Sequence, residues 1–139
     1  MTIKIIPFQF CHYNELLKML QEISSFYPDH SYLESIYEEF ISQENLYSIV
    51  ALSGKEVVGF GSIFFFKRVR GGKEGIIEDL IVSRNYRKLG IGSKILKKLI
   101  SEAKVQKCFK ICLESNNPSV DFYSKEGFLK GGVIMKYFI

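Results

Sequence analysis

Across residues 75–103 the apolar residues change period at one glycine-bearing turn, and this change constrains the fold more than any other feature of the chain. Gly75-Ile76-Ile77-Glu78-Asp79-Leu80-Ile81-Val82 is rich in β-branched residues and is bounded by glycine on one side and Ser83-Arg84-Asn85 on the other, as a strand is. Past Arg87-Lys88-Leu89-Gly90-Ile91-Gly92, the residues Ile91, Ile95, Leu96, Leu99, Ile100 and Ala103 recur at helical spacing, with Lys94, Lys97, Lys98 and Lys104 mostly on the other face. Such a helix has to return its apolar stripe to a sheet. By the right-handed crossover rule, the next strand, 109–113, then lies parallel to 75–82.

The remaining segments supply partners for that sheet. Residues 2–8 read as a strand ended by Pro7, and Leu16, Leu17, Leu20 and Ile23 mark one face of a helix over 11–23. Ser31 is placed to cap a second helix reaching Phe40 or Ile41, with Glu34 completing a capping box and Leu33, Ile36, Tyr37 and Phe40 as its inner stripe. Residues 46–52 and 57–66 read as strands joined at Ser53-Gly54-Lys55, and Arg70-Gly71-Gly72-Lys73 turns the chain so that 75–82 pairs antiparallel with 57–66. Asn117-Pro118 caps and opens a short helix that Gly127 ends, and 133–139 closes the chain as a last strand. The predicted order is β-α-α-β-β-β-α-β-α-β: an α+β fold with a mixed central sheet flanked by helices, in one domain over 1–139.

Composition narrows the function classes. No apolar run approaches the roughly 18 residues of a membrane span, the longest candidate being Ile63-Phe64-Phe65-Phe66, and the first residues lack a signal-peptide pattern, so the expectation is a cytoplasmic protein without membrane contact. Cys11, Cys108 and Cys112 are odd in number and lack C-x-x-C spacing, which predicts neither a disulfide framework nor a structural zinc site. The net charge of +4 is concentrated between Lys67 and Lys110; a small polyanion accounts for it, whereas nucleic acid contact comes with a broader basic face.

The glycine turn suits a phosphate for a mechanical reason. Glycine admits close backbone approach, the first helix amides point outward with the positive end of the macrodipole behind them, and Arg87 and Lys88 add formal charge. Elsewhere, His12 and His30 read as surface or capping residues. Cys108 and Cys112 read as small core residues, which disfavours a Cys/His hydrolase. Phe64-Phe65-Phe66 reads as core on one face, with a helix or a subunit contact on the other.

A strand, an Arg-x-x-Gly-x-Gly turn, a crossover helix, a short strand and then Asn117 through Phe128, with Phe122-Tyr123 and Gly127-Phe128 in place, resembles the GNAT superfamily of acetyl-CoA-dependent N-acetyltransferases. Within it, Ile77-Glu78-Asp79, Cys108-Phe109-Lys110-Ile111, Leu113-Glu114 and Met135-Lys136-Tyr137-Phe138 are most similar to the glucosamine-6-phosphate N-acetyltransferases, short and usually dimeric enzymes of amino-sugar synthesis. The chain departs from that pattern at Ile76, Glu114 and Ser119, where His, Asp and Asn are usual, and in a trimmed hairpin over 67–75. These departures fall more on the acceptor side than on the coenzyme side.

The resemblance implies the GNAT fold, acetyl-CoA as co-substrate, no metal, a small-molecule amine acceptor and a homodimer. By it, Leu80, Ile81 and Val82 would bind the pantetheine arm; Arg87, Lys88, Leu89, Gly90, Ile91 and Gly92 would hold the diphosphate, and Ser119, Phe122 and Tyr123 would complete the coenzyme side. Lys67, Arg68, Arg70, Glu78, Asp79 and Glu114 would face the acceptor, with the cations opposite Glu78 and Asp79, and Lys136 would add to them across a dimer interface. Acetyl transfer needs a neutral amine, a polarised carbonyl and a proton for the departing thiolate. Strands diverging beyond Val82 and Leu113 would leave amides for the thioester, Glu114 would take the amine proton, and Tyr123 would donate to sulfur or else is a packed core phenol. Alternation along a strand puts only one of Glu78 and Asp79 directly in the pocket, yet both are assigned to it because the backbone at Asp79 lies there. Glucosamine 6-phosphate, acetylated directly to N-acetylglucosamine 6-phosphate, is the acceptor favoured. A polyamine, diamine or other small amine is the rival, and a non-catalytic CoA-binding regulator or a basic nucleic-acid binder is the reading from another class.

Overall fold

The computed structural model describes residues 2–139. Strands β1 (Ile3–Pro7), β2 (Leu46–Ser53), β3 (Glu56–Lys67) and β4 (Lys73–Val82) run antiparallel in chain order, and β5 (Cys108–Leu113) joins β4 in parallel at the edge of the sheet. Helix α3 (Ile91–Val105) crosses one face, while α1 (Tyr13–Leu20) and α2 (Leu33–Ile41) lie on the other; a short α4 (Val120–Lys125) follows β5. β3 sits at the centre and is buried on both sides. That explains why Val57, Val58, Phe60, Ile63 and Phe65 form a nearly continuous apolar run instead of an alternating one.

Two apolar clusters hold the layers together. On one face Ile91, Ile95, Leu96, Leu99 and Ala103 of α3 pack on Ile49, Ala51, Val58, Ile63, Phe65 and Ile77, as the helical spacing requires. On the other, the Phe8 ring meets Tyr13, Tyr37, Phe40 and Phe60 edge-on, with centroids 5.2 to 6.0 Å apart, and Leu16, Met19 and Ile81 close around it. Ile77 belongs to the first cluster and Ile81 to the second. An even separation in a regular strand would put both on one face, so β4 must invert between them. It does so at Asp79, whose φ is 55°, where the β3–β4 register shifts between Phe60 and Ser62: a β-bulge. The buried Ser62 hydroxyl donates to the Glu78 carbonyl at 2.8 Å and satisfies an acceptor beside the irregularity.

Several expectations need correction. The helix expected over 11–23 is shorter, because Phe10–His12 forms a separate tight turn and Ile23 lies beyond the helix, 56% exposed. Ser31 does not cap α2; the Asp29 carboxylate accepts from its amide and hydroxyl and nucleates a turn over His30–Tyr32 first. Asn116, not Asn117, caps the turn that precedes α4. His12 is buried, not a surface residue; its Nδ1 accepts from the Gln9 amide at 3.0 Å in a capping role. Residues 133–139 form no strand: among the described residues no segment pairs with the tail, the outer edge of β5 stays unpaired, and Val133, Met135, Tyr137 and Phe138 are exposed.

Ile95 is fully buried where α3 crosses the sheet. Ile95→Ala is expected to destabilise the protein by about 2–5 kcal/mol, measured by urea unfolding, because the cavity left in a two-layer packing closes only partly.

Candidate active site

The site is built on the place where two parallel strands separate. The β4–β5 ladder runs from Lys73–Cys108 to Ile77–Leu113 and stops, although β4 continues to Val82. The strands therefore part at Ile77, before the Val82 expected from sequence, and the bulge at Asp79 opens the gap further. Main-chain groups of β4 beyond it have no β5 partner; the Val82 carbonyl instead accepts from Arg87 Nε at 3.1 Å.

At one end of the gap lies the glycine turn. Gly90, at φ 84°, is the residue before α3, and a side chain there would be held in a left-handed conformation that costs about 1 kcal/mol or more. No side chain caps the helix, so the amides of its first turn are open to a ligand. A Cβ on Gly92 would come within 3.3 Å of the Phe122 ring, so the second glycine lets α4 close on the start of α3. This brings Phe122 and Tyr123 to the mouth of the turn. The Ser119 hydroxyl is engaged with Asn116 and Ser115, which gives it a role in the capping turn ahead of α4. Arg87 also pairs with Glu22.

The acids gather on the other side. Alternation from Ile77 puts Glu74, Ile76 and Glu78 on the face away from α3, and the bulge turns Asp79 to the same side instead of the opposite one. Burial, then the charges of Asp79 and Glu114, push the Glu78 carboxyl above its ordinary range; burial alone raises that of Asp79. Glu114 follows β5 directly and pairs with Lys136 of the tail at 2.8 Å. Tyr123 packs edge-on against Phe122 and Phe128, and burial keeps its phenol protonated beyond the usual range, which suits a proton donor.

Lys67, Arg68 and Arg70 do not lie opposite Glu78 and Asp79. Ser62 lies opposite Glu78, and the cations sit at the far end of the β3–β4 hairpin, roughly 16 Å along the strand from Glu78 at about 3.3 Å per residue. Arg68 is committed to Glu74, the most buried carboxylate of the chain, which also accepts from the Cys112 thiol at 3.0 Å. Cys112 is thus an exposed partner of an acid and not a core residue; the hydrogen bond to Glu74 raises its thiol pKa and makes it a poor nucleophile.

Sequence reasoning missed a cavity of about 510 Å³ between α1, the 21–29 connection and α2, with Asp79 at its floor. Leu17, Leu20, Ile23, Phe26 and Ile36 form its walls, and neither lysine nor arginine lines it among the described residues. Phe26-Tyr27-Pro28-Asp29, an aromatic-rich break between two helices, was the available signal.

The chain matches the model of the acetyltransferase (GNAT) family over residues 13–128. It is 30% identical over 131 residues to glucosamine 6-phosphate N-acetyltransferase 1 of Dictyostelium discoideum, covering 91% of this chain and 82% of that protein. It is 31% identical over 133 residues to glucosamine 6-phosphate N-acetyltransferase of Candida albicans, covering 88% and 84%. The crystal structure of glucosamine-6-phosphate N-acetyltransferase from Arabidopsis thaliana superposes with a TM-score of 0.90 at 21% identity over 99% of both chains, a likeness of fold.

Glu74 gives the hairpin a pH signature. The Cys112 hydrogen bond, joined by Arg68 and opposed by burial, holds its carboxyl below the ordinary value of 4.5. Its contribution is therefore complete above pH 4.5 and lost as pH falls through the lower folded value. Glu74→Gln is expected to cost about 1–3 kcal/mol at pH 7 and to narrow that gap to wild type on acidification below pH 4.5, read from thermal unfolding across pH. A gap independent of pH would refute the assignment.

Proposed function

The chain belongs to the acetyltransferase (GNAT) family, and from that premise we propose that it transfers the acetyl group of acetyl-CoA directly to the amine of glucosamine 6-phosphate, giving N-acetylglucosamine 6-phosphate. The observation that carries this reading is the gap where β4 leaves β5, with Glu78, Asp79 and Glu114 on one side and Tyr123 on the other. The names of the Dictyostelium and Candida relatives support the choice of acceptor.

The diphosphate of the coenzyme docks on the first-turn amides of α3 between Arg87 and Gly92, and the pantetheine arm runs along Leu80, Ile81 and Val82 as an added strand. The amine must shed a proton before attack. Glu78 and Asp79, raised above the ordinary carboxylate range, are better matched to that task near neutral pH than solvated acids, and Glu114 orients the amine. The nitrogen adds to the thioester carbonyl, unpaired main-chain amides of the gap steady the oxyanion, and the C–S bond breaks as Tyr123 gives its proton to sulfur. No step calls on a metal.

We assign a homodimer to the working enzyme, placed in the cytoplasm as a step of amino-sugar synthesis. The exposed apolar tail over 133–139 and the unpaired outer edge of β5 support the dimer, since each lacks what the other offers. Lys136, paired with Glu114, is assigned to the sugar phosphate. A second acceptor class, an amine with an apolar body, is favoured by one observation only, the cation-free walls of the cavity over Asp79.

Following thiol release with glucosamine 6-phosphate, spermidine and a lysine peptide tests the acceptor; turnover confined to the phosphorylated sugar is expected. Tyr123→Phe should lower kcat about 100-fold while coenzyme affinity, measured by calorimetry, stays put. Removing residues 133–139 should leave a monomer by light scattering, and a truncated protein that remains dimeric refutes the tail as interface.

A further inference from the structure

Glu22, just past the end of α1, ties the connection that follows that helix to the arginines ahead of α3. Its carboxylate pairs with Arg87 through one oxygen and lies 3.9 Å from Arg84 through the other. Arg87 in turn donates its Nε to the Val82 carbonyl at 3.1 Å. A single guanidinium therefore sits at the β4 border of the gap, fastened on one side to the strand edge and on the other to the 21–29 connection that walls the cavity over Asp79. Ile23 and Phe26, which follow Glu22, are largely exposed and contribute little apolar packing to hold that wall. The Gln21 side chain donates to the Leu17 and Phe26 carbonyls, so the Glu22 ion pairs are the tie between this connection and the glycine turn.

We propose that Glu22 is a positioning residue that holds Arg87 at the β4 border of the gap in the empty protein, and that coenzyme docking takes Arg87 from it and so releases the wall of the acceptor cavity. The inference rests on the coenzyme reading given above. A diphosphate on the amides of Gly90 to Gly92 competes for Arg87 with the carboxylate, and a pantetheine amide competes for the Val82 carbonyl. Both exchanges loosen the Glu22 pairs. Coenzyme affinity is thereby set below what the turn alone would give, and the difference is spent on freeing residues 23–29.

Calorimetric titration with coenzyme A at low ionic strength tests this in wild type, Glu22→Gln, Glu22→Asp, Arg87→Ala and the Glu22→Gln/Arg87→Ala double variant. Glu22→Gln is expected to bind threefold tighter or better, Glu22→Asp to stay nearer wild type, and the gain to vanish in the Arg87→Ala background. Amide exchange of residues 23–29 should rise in wild type on saturation with coenzyme A and should already be high in Glu22→Gln. Unchanged or weaker binding by Glu22→Gln, or the same gain without Arg87, which would be plain repulsion of the diphosphate, overturns the proposal, as does exchange that ignores the coenzyme. Wild type that binds no coenzyme A defeats the acetyltransferase reading too, whereas normal binding without these differences defeats the Glu22 role alone.

Discussion

A parallel pair of strands that stops exchanging hydrogen bonds while one strand continues leaves amides and carbonyls with nothing to bind, and the site depends on this at Ile77–Leu113. A fold normally avoids the cost of such groups by pairing or burying them. Here they border the opening between β4 and β5, where, in the function proposed above, the amide-bearing arm of the coenzyme would complete the sheet. The Asp79 bulge makes the opening usable, since it turns the strand over and brings Asp79 to the same face as Glu78. In the proposed reaction the donor and acceptor halves would then share a few residues of one strand.

Much of this was legible in the residues because the same physics writes the pattern and the structure. The α3 stripe, the β2–β3 turn at Gly54, the antiparallel β3–β4 pair and the parallel β5 all follow from periodicity and turn chemistry. The bulge did not show, because one extra residue leaves unbroken the apolar run of Ile76, Ile77, Leu80, Ile81 and Val82 that marks the strand. The place of the Lys67, Arg68 and Arg70 cations was misjudged for a related reason: nearness in sequence to Glu78 becomes distance along an extended strand. The tail shows the opposite failure. Its apolar residues have the character of a strand, but a strand exists only once it is paired, and among the described residues the tail pairs with no strand, not even the free outer edge of β5.

Charge placement separates structure from chemistry. Glu74 and Glu78 stand four residues apart on the same face of β4, yet their environments push them in opposite directions. Glu74 has a thiol and a guanidinium to stabilise its anion and stays a charged anchor for the hairpin. Glu78 has burial and two neighbouring acids, which favour the protonated form and raise its carboxyl above the ordinary range.

The Arg87 side chain folded over the Val82 carbonyl carries a further consequence for the resting protein. A bare strand border is a template on which any extended polypeptide can grow, and a catalyst that keeps one open for a peptide-like arm risks seeding aggregates with its own neighbours. Arg87, fastened to the Val82 carbonyl, fills one acceptor of that border and sets a positive charge beside it, and both oppose the docking of a second strand there.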